Sequence, residues 1–460
     1  YLERYFLAVT LRRDASSKFG ENTRWGTFPS YAIAYTFSEE PYMDWARNFM
    51  DHGKIRLSYG KSGKQFEHPY LAFGVLAPGT IPFHGNQTIS PFWNDGLLNP
   101  KLSWEETRQF DAGLDLDFFN NRLGVVLDYY YRYTDKLLTL VSLPGDYNAY
   151  VAQWQNAYAI SNQGLELQIK ADLIQSEKLH WDINFNIARN WNRLEKSNNG
   201  MDFVNRVSAH NLNIIGKPLN GIYVYNDQGY YNSRDEIPSY YIDGKQRYLS
   251  PPGNQIYTPG DRRIQDVDGN GRIATSVPLL EDRVYGGSPL PLAFGGIATS
   301  LEWKNLDLNL LFSYKLGRHV LNAGRGASVG TTLKANTSEM MTPILADLDK
   351  ISFWQKPGDD TDFPVNELDN GKNNFATNLK SNIEKINYLK LKSISIGYTL
   401  PVFPKQSKHH ARVFMSVENV FTITNSSSPD PESIDIVTGI DSNNNYPLAT
   451  RFTLGLTLNL

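Results

Sequence analysis

Apolar and polar residues trade places at every second position along most of this chain. They do so in segments of about ten residues, the length a tilted membrane-crossing strand needs. At the C-terminus, Phe452, Leu454, Leu456, Leu458 and Leu460 point one way, and Thr453, Gly455, Thr457 and Asn459 the other. Leu306, Leu308, Leu310, Phe312 and Tyr314 oppose Asp307, Asn309 and Ser313. Ala112, Leu114, Leu116 and Phe118 oppose Asp111, Gly113, Asp115 and Asp117. Leu123, Val125, Leu127, Tyr129, Tyr131 and Tyr133 oppose Gly124, Asp128, Tyr130 and Arg132. A soluble β-sandwich or propeller also alternates and stays the alternative. Here, however, the apolar face is nearly pure and ends in aromatics, as a lipid-facing band ends in an aromatic girdle.

The pattern predicts twelve strands, near 2–12, 27–37, 54–61, 106–118, 122–134, 163–173, 180–191, 293–303, 305–315, 387–400, 410–420 and 450–460. Their connections alternate in length. Those at 118–121, 174–178, 303–304 and 401–410 are short; those at 62–105, 135–162, 192–292, 316–386 and 421–449 are long. That sorting is the mark of a transmembrane β-barrel, with turns on the periplasmic side and long loops outside. Two connections depart from it: 38–53 is long for the short side, and 13–26 brief for the long side. One strand changes phase between Leu389, Leu391 and Ile394, Ile396, Tyr398, Leu400, which predicts a bulge near Lys392. The even count puts both chain ends on the short-turn side. It leaves open whether the block closes on itself or forms part of a larger barrel.

Composition narrows the function. The 460 residues carry a net charge of −3, which argues against a nucleic-acid binder with a basic stripe. There is no Cys, hence no disulfide, thiol nucleophile or Cys-bound metal. No apolar run reaches the roughly 18 residues of a transmembrane helix. With 27 Tyr and 23 Phe among only 20% charged residues, the membrane β-barrel is the option left open. The chain begins at Tyr1 inside a strand-like pattern, without an initiator Met or a signal-peptide pattern, and reads as a mature fragment.

Several segments resemble the SusC/RagA-type, TonB-dependent outer-membrane transporters of Bacteroidetes. The strongest is NPKLSWEETRQFDAGLDLDFFNNRLGVVLDYYYRYTDKLL at 99–138. RWGTFPS at 24–30, KIRLSYGKSG at 54–63, ISNQGLELQI at 160–169, PGDRRIQDVDGNGRI at 259–273 and YGGSPLPLAFGGI at 285–297 join it. YLKLKSISIGYTLP at 388–401 and VENVFTITNSSSPDPE at 417–432 follow in family order. The resemblance implies an all-β, transmembrane antiparallel barrel of 22 strands, of which residues 1–460 are the C-terminal twelve. It places the plug, the TonB-contacting segment and the first strands outside this chain. It implies TonB-dependent import of glycans or oligopeptides through outer-membrane lipid. It also implies a SusD-like surface lipoprotein as lid and a pairing of lid–barrel units as dimers. The C-terminal Leu460 departs from the family, where an aromatic is usual. So does ATSVPLLEDR at 274–283, an insertion after the acidic loop.

Within that loop, Asp266, Asp268 and Asn270 occupy positions 1, 3 and 5 of a calcium-loop pattern, Gly271 position 6 and Arg272, through its carbonyl, position 7. Position 12 is Val277, which cannot ligate, so Glu281 or Asp282 would take its place. The expectation is a structural Ca²⁺ or Mg²⁺, with no cofactor otherwise required; the alternative is an Asx-rich turn. Tyr223, Tyr225, Tyr230, Tyr231, Tyr240, Tyr241, Tyr248 and Tyr257 crowd one long connection, and Trp93, Tyr147, Tyr150, Trp154 and Trp354 sit in others. Each either contacts ligand or partner or packs its loop. GKSGK at 60–64 lacks phosphate-loop spacing. Asp115, Asp117, Asp128 and Glu166 read as polar lumen, not a glycosidase pair. No catalytic residues are expected. A non-transporting scaffold barrel, or a passive porin, is the alternative function.

Overall fold

A computed structural model describes residues 1–67, 71–72, 76–83, 86–93, 97–143, 152–197, 203–206, 210–242, 244–252, 255–273, 282–325, 352–366, 372, 374, 376–400, 410–442 and 445–459. The wall consists of twelve long strands, each hydrogen-bonded to the next in sequence order. They are β1 Tyr5–Ala15, β2 Trp25–Thr36, β3 Met50–Lys64, β4 Glu105–Phe118, β5 Leu123–Ser142 and β6 Ala152–Gln175. They continue as β7 Leu179–Lys196, β8 Ala293–Trp303, β9 Leu306–Asn322, β10 Ile383–Leu400, β11 His410–Thr424 and β12 Arg451–Asn459. All eleven pairings are antiparallel. A thirteenth, two-residue strand, Ile440–Asp441, adds to β9 in parallel. Every predicted strand is present, and the sheet is a partial barrel, with β1 and β12 at its two ends.

Register sorts the side chains. Leu7, Ile33, Leu57, Ala112, Tyr129 and Leu165 are cross-strand partners in one row from β1 to β6. Ile183, Thr299, Leu310, Ile394, Val417 and Phe452 form another from β7 to β12. Leu57, Leu127, Leu165, Ile396, Val413 and Leu454 stay exposed. Exposing such a row to water would forfeit about 25 cal/mol per Å², whereas lipid removes that cost.

The opposite face is polar and ion-paired. Arg56 grips Asp115 through two bonds of 2.7 and 2.8 Å and reaches Asp128 at 2.9 Å. Gly113 lies beneath: a Cβ there would fall 2.4 Å from Asp128 Oδ1 and 2.6 Å from Arg56 Cζ. Arg412 spans to Asp307 in the same way, over Gly397. Tyr130 Oη donates to Asn190, whose amide bonds Asn162 in turn.

The bulge at Lys392 is there. Both neighbours skip it: β9 pairs Leu311 with Ser393 and Phe312 with Leu391, while β11 pairs Phe421 with Leu391 and Glu418 with Ser393. The long 38–53 connection holds two 3-10 turns, Phe37–Glu39 and Pro41–Ala46. One expectation needs correction. Most of the loop expected at 135–162 is strand, because β5 and β6 run to 20 and 24 residues, far beyond the roughly ten that cross hydrocarbon. The reason is a break in register between Thr134 and Leu137, with Lys136 at φ +59°, which ends the alternation without ending the strand.

The facing assignment is testable on adjacent residues of β5. Leu127→Arg is expected to cost about 2–4 kcal/mol, and Val126→Arg, on the polar face, less than about 1 kcal/mol. Refolding titrations into lipid vesicles measure both.

Candidate functional site

The built structure above the wall comes from its long connections. In 197–292, the strands Phe203–Arg206, Asn211–Ile214, Gly221–Tyr225 and Arg283–Gly287 make a four-stranded sheet. Asp227–Tyr230 pairs with Arg262–Ile264, and Ser239–Ile242 with Lys245–Tyr248. Tyr225, Tyr231, Ile237, Leu249, Tyr257, Ile264 and Ile273 close a core that also takes in Leu379 from the next connection. Tyr225 N–H donates to Asn378 O at 2.9 Å, sealing the junction.

This core decides what several aromatics do. Tyr231 is fully buried against Tyr257, with ring centroids 5.5 Å apart, and burial pushes its phenol up to about 12. It packs the loop; the ligand-contact expectation does not describe its place. Trp354 is likewise buried, against Gly260. Tyr240 flanks the core, its phenol pushed up to about 12 by burial and by Asp266. Tyr223 and Tyr225 are buried in the four-stranded sheet. Trp154 packs at the edge of a second core, built from Phe19, Phe28, Phe66, Leu102 and Trp104. Tyr241 is 79% exposed at its hairpin. Tyr248 is exposed with Arg234 over its ring. Tyr230 is half-buried and lines a cavity with Asp227, Arg262, Arg325 and Phe363. Trp93 ends the strand Asn86–Trp93, but its side chain, like Tyr147 and Tyr150, lies outside the described residues.

The acidic loop is compact. Asp266 accepts the N–H groups of Gly269 and Gly271 at 2.8 Å each, and Asp268 accepts from Asn270. Gly269 and Gly271 have φ of +73° and +78°, which favours glycine at both corners. Buried Asp282 bonds Val267 N–H at 3.1 Å, so oxygens of Asp266, Asp268 and Asp282 lie within 4.8 Å of one another. Three carboxylates that close repel unless protons or a cation intervene. They are hard oxygen donors of the kind Ca²⁺ and Mg²⁺ take, with Asn270 Oδ1 and the Arg272 carbonyl alongside in sequence. Asn270 Oδ1 meanwhile accepts from Arg272 N–H. Glu281 and Val277 fall outside the described residues.

A third cluster ties the last long connection to the polar face. Lys390, 3% exposed, donates to Asp430 at 2.9 Å, and Lys392 to Glu432 at 2.7 Å. Ser313 and Tyr388 also donate to Glu432. Arg318, buried, donates to the carbonyls of Pro289 and Asp435. Burial pushes Asp430 and Glu432 up, but the lysine bonds, joined at Asp430 by the Glu432 and Leu448 N–H groups, outweigh it and hold both below the usual carboxylate range.

The family described as TonB dependent receptor-like, beta-barrel matches residues 1–272, more than half of the sequence. The chain belongs to this family. TonB-dependent receptor P3 of Formosa agariphila is 29% identical over 100% of this chain and 44% of that protein. TonB-dependent receptor SusC of Bacteroides thetaiotaomicron is 27% identical over 99% of this chain and 42% of that protein. In the solved RagAB peptide transporter, 46% of one chain superposes on 99% of this one with TM-score 0.72 at 23% identity, a shared fold. The chain spans less than half the length of the curated relatives it matches. TonB-dependent receptor barrels are outer-membrane proteins, and the resemblance to the SusC/RagA type holds.

For this receptor barrel, sequence reading missed the Lys390–Asp430 and Lys392–Glu432 tether. Its signal was present: the bulge at Lys392 turns two lysines of LKLK toward the polar face, opposite the acids of PDPES. Lys390→Ala would strand a buried carboxylate, and should cost about 3–5 kcal/mol of local stability. Hydrogen-exchange protection over 425–441 reads it. Because both acids titrate lower in the folded state, the tether's contribution is complete above pH ~5 and is lost as pH falls toward and through their lowered values. Protection factors compared at pH 6 and pH 3 should show the loss. Among the described residues, Tyr231 Oη has no hydrogen-bond partner. Tyr231→Phe should therefore leave the melting temperature unchanged or raise it, whereas Tyr230→Phe, losing the bond to Thr361 O, should cost about 1 kcal/mol.

Proposed function

We propose that this chain forms wall and loop cover of an outer-membrane importer of the SusC/RagA type. It takes up glycans or oligopeptides with a SusD-like lipoprotein as lid on the long-loop side. TonB drives it through contacts made elsewhere in the polypeptide, and barrel–lid units pair. One observation carries the reading. The wall is apolar outside and ion-paired inside, and the connections above one rim fold into packed structure with its own cores. A passive pore needs no such cover. No covalent chemistry is assigned: Asp115 and Asp128 both pair with Arg56 on the polar face.

Within this reading, Asp266, Asp268 and Asp282 hold a structural Ca²⁺ or Mg²⁺ that fixes the 266–282 connection. Added Ca²⁺ should raise the melting temperature and chelator should lower it. Asp268→Asn should remove both responses.

The transport reading is tested in the native host. Deleting the gene should abolish growth on one glycan or peptide source, and a proton uncoupler should stop uptake by the wild type. Gentle extraction should bring a lipoprotein with the protein. Isolation alone, with solute flux indifferent to the uncoupler, would favour the passive pore or scaffold.

A further inference from the structure

A cavity of about 650 Å³ opens where two long connections meet, 197–292 and 323–382. One side is the strand Asp227–Tyr230 with Arg262 and Arg263; the other is 358–363 with Arg325. The sides are stitched together. Tyr230 Oη donates to Thr361 O at 3.1 Å, and Gly358 N–H to Asn232 Oδ1 at 2.7 Å. The site is preformed, and its volume suits a small ligand.

Its chemistry discriminates between ligand classes. A sugar ring gains much of its binding area by stacking its apolar face on an open aromatic ring. The two rings here do not offer one: Tyr230 is half-buried with Arg262 lying over it at 5.4 Å, and Phe363 is buried with Arg325 over it at 5.8 Å. A polyanion meets net repulsion, since five carboxylates line the cavity against three guanidiniums. Arg262 and Arg325 are already paired, with Asp227 and Asp362. Arg263, Glu236, Asp359 and Asp360 make no ion pair among the described residues, but Glu236 accepts Asn232 N–H and Asp359 accepts those of Gln355 and Lys356, which leaves exposed Arg263 and Asp360. One cavity therefore holds an available charge of each sign, with amides between.

We infer that this cavity binds a short zwitterionic peptide, Arg263 receiving its carboxylate and Asp360 its ammonium group. The inference rests on the import reading and narrows its substrate class at this site to peptides. The preformed pocket keeps the ordering cost low, and each charged end gains a charge-assisted hydrogen bond.

The test is calorimetric titration of the intact protein in detergent. The probes are tetraalanine, its N-acetylated form, its C-terminal amide, maltotetraose and tetragalacturonate. Tetraalanine should bind, and each singly blocked form should bind about tenfold more weakly, the size of one charged hydrogen bond. Arg263→Gln should weaken tetraalanine about tenfold yet leave the amide unchanged. Asp360→Asn should do the same for tetraalanine and leave the N-acetylated form unchanged. Both residues are exposed, so neither change threatens folding. Absence of peptide binding, or binding of either sugar as tight as tetraalanine, overturns the inference. So does equal weakening of all peptides by both variants. Binding needs no TonB, so intact binding without uptake would fault the transport reading and leave this one standing.

Discussion

Hydrocarbon offers a backbone no hydrogen-bond partner, so each wall strand must satisfy its N–H and C=O groups on its neighbours. That constraint orders everything else in this protein. It forces consecutive strands into antiparallel ladders and fixes a period of two for side chains. Each strand then has one face for lipid and one for the interior. The apolar row through Leu57 and Leu165 and the Arg56 grip on Asp115 and Asp128 are two consequences of one ladder.

The interior face shows how such a wall carries charge. Arg56 and Arg412 lie flat across glycines on neighbouring strands, each satisfied by carboxylates within hydrogen-bond range. Long side chains laid sideways keep the charges neutralised in pairs. The same logic recurs on β10, where Lys390 and Lys392 hold the final connection against the polar face through Asp430 and Glu432.

The wall was legible in the sequence because alternation is local. Twelve strands and the bulge at Lys392 follow from residues two positions apart. Where local phase fails, reading fails: Lys136 hid the upper halves of β5 and β6. The acidic loop was legible for Asp266 and Asp268, which are two positions apart. Asp282 joins them across an insertion that spacing alone leaves ambiguous. The roles of the tyrosines were not legible. Tyr230 and Tyr231 are adjacent, yet one lines a cavity and the other fills a core. What separates them is the strand pairing of Asp227–Tyr230, made with residues over thirty positions away.

Leu379 belongs to one connection but completes the core of another. The two segments therefore share one core. Swapping one of them in from a relative would import half an interior and leave the other half without its mate. Divergence in recognition along this lineage would then proceed by paired exchange, with both segments inherited as one cassette.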